Sequence, residues 1–183
     1  MEPVLIQTQR FSDERGYFSE VWSSRKFKNL FKNINFLQDN RSVSIRAGTL
    51  RGLHFQMPPF DQAKLVTCLN GEIFDVAVDI RKGSPTFAKC FSANLTSENG
   101  NQFFIPSGFL HGFVSLMPNT EVFYKCSNHY ESVHERAVRF DDPELNIPWP
   151  DHIREFVISN KDNEAPLLKD IDNPFTYEEF TDV

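Results

Sequence analysis

The sequence predicts a mainly β protein, folded as a sandwich, jelly roll or barrel. Short apolar runs recur between turn signals along most of the chain. Phenylalanine is abundant, at 19 of 183 residues, which suits a β-rich core or an aromatic-lined pocket. One run alternates cleanly: Phe74, Val76, Val78 and Ile80 share one face, and Asp75, Ala77, Asp79 and Arg81 the other. The length allows one domain with a substantial core and is short for two.

Taken in order, Val4 to Gln9 reads as a strand, Ser12 to Gly16 as a turn and Tyr17 to Trp22 as a second strand. Phe27, Leu30, Phe31 and Ile34 follow helical spacing behind Ser23 and Ser24, either of which caps a short helix. Residues 49–64 read as strand, turn, strand. Leu65 to Leu69 is a strand, and Asn70-Gly71 signals a hairpin to the run from Ile73 to Ile80. Lys82 to Pro85 turns the chain. Phe87 to Leu95, Gln102 to Ile105, Gly112 to Leu116 and Glu121 to Ser127 are further strands. The Pro-rich stretch from Asp142 to Pro150, followed by Ile153 to Ile158, reads as a wrapping arm. From Asp172 on, the chain is acidic and expected to be loose.

Composition narrows the function classes. Hydrophobic residues at 40% and charged residues at 24% are ordinary for a globular protein. A formal net charge of −6 argues against wholesale nucleic-acid binding, yet leaves room for a local basic site that takes one phosphorylated ligand. Cys68, Cys90 and Cys126 are odd in number and widely spaced, which points to reduced core cysteines and away from a disulfide framework or a cysteine-based zinc site. Met1 to Arg10 has no apolar leader core, and no apolar run is long enough to span a membrane. A cytoplasmic protein is the expectation.

The chemistry concentrates in Thr49 to Lys64. Arg51 is suited to bind an anion bidentately, His54 carries an imidazole able to take up and release a proton, and Lys64 is suited to an oxyanion. Arg51 and His54 stand an odd number apart, so a regular strand sends them to opposite faces; Gly52 between them permits a bulge that brings both to one site. His111, in Pro106-Ser107-Gly108-Phe109-Leu110-His111, follows a spacing similar to the second cupin motif, whose histidine often binds metal. The run matching the first motif is His54-Phe55-Gln56, and no properly spaced Glu accompanies it. Two histidines make a poor metal site. Tyr124 has a hydroxyl able to donate a proton.

These motifs occur together in a family order. Asp13 to Phe18, Gln38-Asp39-Asn40, Leu50 to Gln56, Phe74 to Arg81 with Ser84 to Phe87, Ile105 to Phe113, and Trp149-Pro150 resemble the signature of the dTDP-4-dehydrorhamnose 3,5-epimerases, over roughly Val4 to Leu168. The resemblance implies a cupin-type jelly roll spanning residues 1–183 as one epimerase domain. It implies a homodimer, with N-terminal strands (about 1–22) at the interface and a wrapping C-terminal arm (about 142–183), and neither a metal nor another cofactor. It places the catalytic base on His54, its supporting acid on Asp162 and the proton donor on Tyr124. Contacts to a dTDP-4-keto-6-deoxy sugar fall on Arg15, Glu20, Gln38, Asp39, Asn40, Arg51, Lys64, His111, Glu135 and Lys161, with Tyr130 stacked on thymine. Arg15 and Glu20 are expected to reach the neighbouring subunit's site. Asp75, on the polar face of its strand, is expected to buttress one of the two histidines. Leu110 and His129 depart from the family's usual Ala and Tyr beside site positions. The near alternative is a mono-epimerase acting at C3 or C5 only. A non-catalytic nucleotide-sugar-binding cupin is the alternative from another class, and a metal-dependent cupin oxygenase is a third.

Overall fold

The computed structural model describes residues 1–27, 31 and 34–178. In chain order its elements are β1 (Val4–Ile6), β2 (Phe11–Asp13), β3 (Gly16–Phe18), α1 (Ser24–Phe27), β4 (Gln38–Ser44), β5 (Leu50–Gln56), β6 (Lys64–Asn70) and β7 (Glu72–Asp79). They continue with β8 (Cys90–Thr96), β9 (Gln102–Ile105), β10 (Phe109–Ser115), β11 (Thr120–Cys126), β12 (Glu135–Ala137) and α2 (Asn160–Asn163). Two five-stranded sheets face each other as a jelly roll: β1-β9-β6-β11-β4 in one, β12-β5-β10-β7-β8 in the other. β2 and β3 form a separate hairpin.

Three apolar clusters hold these layers. Val66, Phe103, Ile105 and Val122 of the first sheet meet Ile73, Ala77, Leu95, Phe109 and Phe113 of the second between the sheets. Leu53, Phe55, Val76, Val78 and Leu110 point to the outer face of the second sheet, where Val138, Leu145, Leu168, Trp149 and Ile171 cover them. Ile6, Phe31, Leu65 and Phe104 form the third cluster on the first sheet's outer face, under Trp22, Phe27 and Phe36. Each side chain fully buried in this way contributes about 1.5–3 kcal/mol. The apolar face of β7 is therefore the outer one, buried by residues C-terminal to β12, and Asp75 faces the space between the sheets.

Several boundaries differ from the sequence reading. β1 stops at Ile6, where its pairing with β9 ends, and β3 stops at Phe18. The strand expected from Phe87 begins at Cys90, because Ser84 to Lys89 is a turn held by the bond from Phe87 N–H to the Ser84 carbonyl (3.1 Å), with Ala88 at φ 60. β10 begins three residues earlier than Gly112, paired along β7 from Phe109. α1 covers Ser24–Phe27; Phe31 N–H donates to Phe27 O and Ile34 N–H to Phe31 O, while Leu30 lies outside the described residues. β4 was not anticipated, since its polar sequence carries no apolar alternation.

The Asn70-Gly71 turn is present but closes no hairpin. β6 pairs with β9 and β11, whereas β7 pairs with β8 and β10, so the turn carries the chain from one sheet to the other. A turn signal fixes a reversal of direction; which strands then pair follows from the faces they bury. The chain from Asp172 is also firmer than expected. Asn173 is buried and its amide donates to Ile80 O, Phe175 packs on the outer cluster, and Tyr177 N–H donates to Lys82 O (2.9 Å). Residues 179–183 lie outside the described residues. Among the described residues no helix is long and apolar enough to cross a membrane. The three cysteines are free, and burial pushes the Cys68 and Cys90 thiols up to about 11.

Candidate active site

A cavity of about 530 Å³ opens between the sheets. The second sheet lines it with Arg51 and His54 from β5 and His111 and Phe113 from β10; the first lines it with Lys64 from β6, Tyr124 from β11 and Ser42 from β4. Residues 157–159, Lys161 and Asp162 close one side.

β5 solves its parity problem with a bulge. His54 faces His111 and Arg51 faces Phe113, so three steps along β5 match two along β10. Gly52 makes this local geometry workable. Its φ is +118, and a Cβ there would meet Gly112 Cα at 2.6 Å and the His111 carbonyl at 2.7 Å. Both Arg51 and His54 consequently face the cavity, and Arg51 is steadied by a 3.1 Å bond from Nη2 to Val43 O.

Each histidine has its own carboxylate. His54 Nε2 lies 2.7 Å from Asp162 Oδ1, and Gly52 N–H donates to Asp162 Oδ2 (3.3 Å). Asp162 sits in α2, whose N-cap Ser159 accepts from the Asp162 N–H at 3.2 Å. Burial pushes the Asp162 carboxyl up, but the His54 bond and charge, with the Gly52 and Ser159 bonds, bring the balance below its ordinary value. The ionised carboxylate holds the His54 proton on Nε2 and leaves Nδ1 toward the cavity, 4.0 Å from Glu135 Oε1.

His111 Nε2 lies 2.7 Å from Asp75 Oδ1, and its Nδ1 lies 3.5 Å from Lys64 Nζ. Asp75 is wholly buried, as the polar face of β7 led one to expect of a buttress. Burial lowers the His111 pKa, so the imidazole is neutral: it donates to Asp75 and accepts from Lys64 Nζ. Burial also lowers the pKa of Lys64, with the charges of Asp75 and Glu135 among those working against it. Burial raises the Tyr124 pKa, which keeps its hydroxyl protonated.

A second recess, of about 210 Å³, shares His54, Lys64 and Tyr124 with the cavity and adds Gln38, Asn40, Gln62, Tyr130 and Glu135. Tyr130 is half exposed and its hydroxyl donates to Glu135 Oε2 (2.9 Å), an oxygen that also accepts from Lys161 Nζ. Glu135 is pushed up by burial but held below its ordinary value by the Lys161 and Tyr130 bonds and the nearby His54.

The structure thus brings together His54, Asp162, Tyr124, Lys64, His111, Arg51 and Lys161, with Gln38, Asn40, Tyr130 and Glu135 in the adjoining recess. It leaves three predicted residues elsewhere. Asp39 points to the opposite face of β4 from Gln38 and Asn40, where it pairs with Lys125 at 2.8 Å. Arg15 sits in the β2–β3 hairpin, paired with Asp13 at 2.5 Å, and Glu20 pairs with Lys26 at 3.1 Å. Ser42, Thr49, Phe113 and Val157 to Ser159 line the cavity without having been anticipated. Phe113 was accessible by alternation, two residues beyond His111; Val157 to Ser159 reach the site through the pairing of Thr49 with Val157, which no local pattern announces. Among the described residues no group of three or more His, Cys, Asp or Glu side chains is placed to hold a metal ion.

The chain is similar to known proteins over most of its length. The family described as dTDP-4-dehydrorhamnose 3,5-epimerase matches residues 1–170. A dTDP-4-dehydrorhamnose 3,5-epimerase of Sinorhizobium fredii is 46% identical over 176 residues, 96% of this chain and 90% of the relative. The crystal structure of a dTDP-6-deoxy-D-glucose-3,5-epimerase from Legionella pneumophila, in complex with dTDP-4-keto-L-rhamnose, superposes with a TM-score of 0.91 at 41% identity, covering 96% of this chain and 94% of that one. A 3'-monoepimerase from Streptomyces bikiniensis in complex with dTDP-quinovose superposes with a TM-score of 0.84 at 35% identity, covering 91% and 84%.

Proposed function

Because the chain belongs to the dTDP-4-dehydrorhamnose 3,5-epimerase family and is an isomerase, we propose that it inverts C3 and C5 of dTDP-4-dehydro-6-deoxy-D-glucose to give dTDP-4-dehydro-L-rhamnose. The reaction belongs to cytoplasmic dTDP-L-rhamnose biosynthesis. The observation that carries the mechanism is the position of His54 and Tyr124 in opposite sheets, on opposite walls of one cavity.

The hydrogens at C3 and C5 are acidic because each carbon lies α to the C4 ketone. His54 removes one through Nδ1, its Nε2–H anchored by Asp162, and the electron pair moves into the ketone as an enolate. Lys64, seated beside His111, stabilises the charge on O4. The Tyr124 hydroxyl then delivers a proton to the same carbon from the other wall, and the centre inverts. Exchange with solvent returns a proton to Tyr124 and removes one from His54 before the second centre reacts. Arg51 and Lys161 hold the diphosphate and Tyr130 stacks on the base, so binding energy far from the ring fixes it between the walls.

The test is proton NMR of the ketone in D₂O with three variants. His54→Ala should stop both deuterium exchange and inversion, since no enolate forms. Tyr124→Phe should retain exchange but lose inversion by about 10²–10⁴-fold. Lys64→Met should slow both together. A Tyr124→Phe enzyme that inverts normally, or a His54→Ala enzyme that exchanges, would show the acid or base to be misassigned. Deuterium at C3 alone or C5 alone in wild type would establish the mono-epimerase reading; the Streptomyces bikiniensis neighbour is a monoepimerase at 3'.

The chain forms one epimerase domain that acts as a homodimer in this reading. Arg15 and Glu20 lie away from the chain's own cavity, and the hairpin bearing Arg15 exposes Phe11, Tyr17 and Phe18 at 53, 57 and 67%. An exposed aromatic hairpin is what a subunit interface covers, and residues 1–22 would carry Arg15 and Glu20 to the partner's cavity. Sedimentation equilibrium should give twice the 21.2 kDa chain mass; a monomer with full activity would remove both residues from the site.

A further inference from the structure

Tyr130 presents its ring to solvent at 51% exposure, so packing does not orient it. Its backbone is gripped instead. Gln56, in β5 and only 5% exposed, donates from Nε2 to the His129 carbonyl (3.0 Å) and to the Phe60 carbonyl (2.6 Å), and accepts at Oε1 from the Glu131 N–H (2.7 Å). One buried amide therefore fastens the residues on both sides of Tyr130. From the other sheet, Gln38 Oε1 accepts the Tyr130 N–H itself (2.9 Å).

We propose that Gln56 is a positioning residue for nucleotide binding, which sets the pose of the Tyr130 platform without touching the substrate's reacting atoms; this rests on the reading that Tyr130 stacks on the base. Two of its three bonds fall on the backbone immediately flanking one exposed aromatic, the carbonyl before it and the N–H after it, an arrangement that the fold alone does not call for. Gln56 projects into the same interior as His54, two residues before it on β5, so the strand that carries the base also fixes the distance from base to nucleotide platform. Phe60 ties the opposite loop to the same amide, which gives the recess a common reference point.

The test is a double-mutant cycle on thymidine diphosphate affinity, measured by calorimetry on the full chain, with kinetics alongside. Gln56→Leu removes all three bonds and should weaken thymidine diphosphate binding about tenfold and raise KM similarly, while kcat at saturating substrate changes far less. Gln56→Glu keeps the volume and the acceptor for Glu131 N–H but sets a carboxylate against two carbonyls, and it should weaken binding at least as much as Gln56→Leu. In a Tyr130→Ala background, Gln56→Leu should weaken binding by no more than about twofold, because the platform it positions is gone. Additive losses, or a Gln56→Leu variant with kcat lowered as much as kcat/KM, would overturn the proposal and leave the functional reading standing. Should Gln56→Leu not fold, the Gln56→Glu cycle decides on the same criterion. Wild-type protein that ignores thymidine diphosphate would instead overturn the functional reading, and this proposal with it.

Discussion

Replacing Asp162 by Asn preserves shape and removes one charge, yet the buried geometry gives the amide no satisfactory orientation. Asp162 is 5% exposed and accepts two bonds, from His54 Nε2–H at 2.7 Å and from Gly52 N–H at 3.3 Å. With its oxygen toward His54, the amide NH₂ meets the Gly52 N–H, donor against donor, at a penalty of about 1–3 kcal/mol. With its NH₂ toward His54, the imidazole proton must move to Nδ1, the nitrogen that faces the cavity and is proposed as the base. Both orientations also lose the negative charge that stabilises the imidazolium as the enolate forms. Proton abstraction should fall about 10²–10⁴-fold, equivalent to roughly 3–5 kcal/mol of barrier. The assay is deuterium incorporation at C3 and C5 by proton NMR, with thymidine diphosphate affinity measured in parallel. Affinity should hold, because the charged groups proposed for the diphosphate, Arg51 and Lys161, are untouched. Exchange within about threefold of wild type would refute the claim that Asp162 sets the His54 tautomer.

Two further outcomes follow from the same structure. Tyr130→Ala should weaken thymidine diphosphate binding by about 1–3 kcal/mol, the range seen for stacked bases, with a smaller effect on kcat; unchanged affinity would remove Tyr130 from the nucleotide site. Asp79, wholly buried, accepts from the Arg81 backbone and guanidinium, Ser84 and Thr86; burial pushes its carboxyl up, but these bonds hold it down at about 2, against an ordinary 3.8. Its folded pKa is depressed, so the stabilisation is present above the unfolded value and lost as pH falls through the folded one. The shift corresponds to about 2.5 kcal/mol at neutral pH, and the urea-unfolding gap between wild type and Asp79→Asn should shrink by roughly half at pH 3. An equal gap at pH 7 and pH 3 would show that the ionised carboxylate is not what the turn depends on.

Much of the site was legible because its residues sit on strands. Alternation places His111 and Phe113 on one face, and Gly52 marks the position where β5 must bulge for Arg51 and His54 to share a cavity. The pairing of Asp75 with a histidine was also readable, as a carboxylate on the face opposite an apolar stripe. Contacts set by tertiary docking were not. Asp162 and Lys161 lie more than a hundred residues from His54, in a four-residue helix that no periodicity could announce. The family pattern supplied them, and the same pattern supplied Asp39, which β4 turns to its other face.

The strand that escaped notice shows why. β4 carries Gln38, Asn40, Ser42 and Ser44 on its inner face, so an alternation rule that equates inward with apolar finds nothing there. β7 misleads in the opposite sense: its apolar stripe is the outer face, buried by the chain beyond β12, while Asp75 faces inward. Both departures have one cause. A ligand cavity between the sheets needs polar groups on interior walls, and the apolar surface excluded from that interior must be covered elsewhere. The N-terminal segment covers one sheet and residues beyond β12 the other, so each sheet buries apolar residues on its outer face. The polar strand β4 and the heavily covered strand β7 are therefore complementary signs of a sandwich that has opened its middle to a substrate.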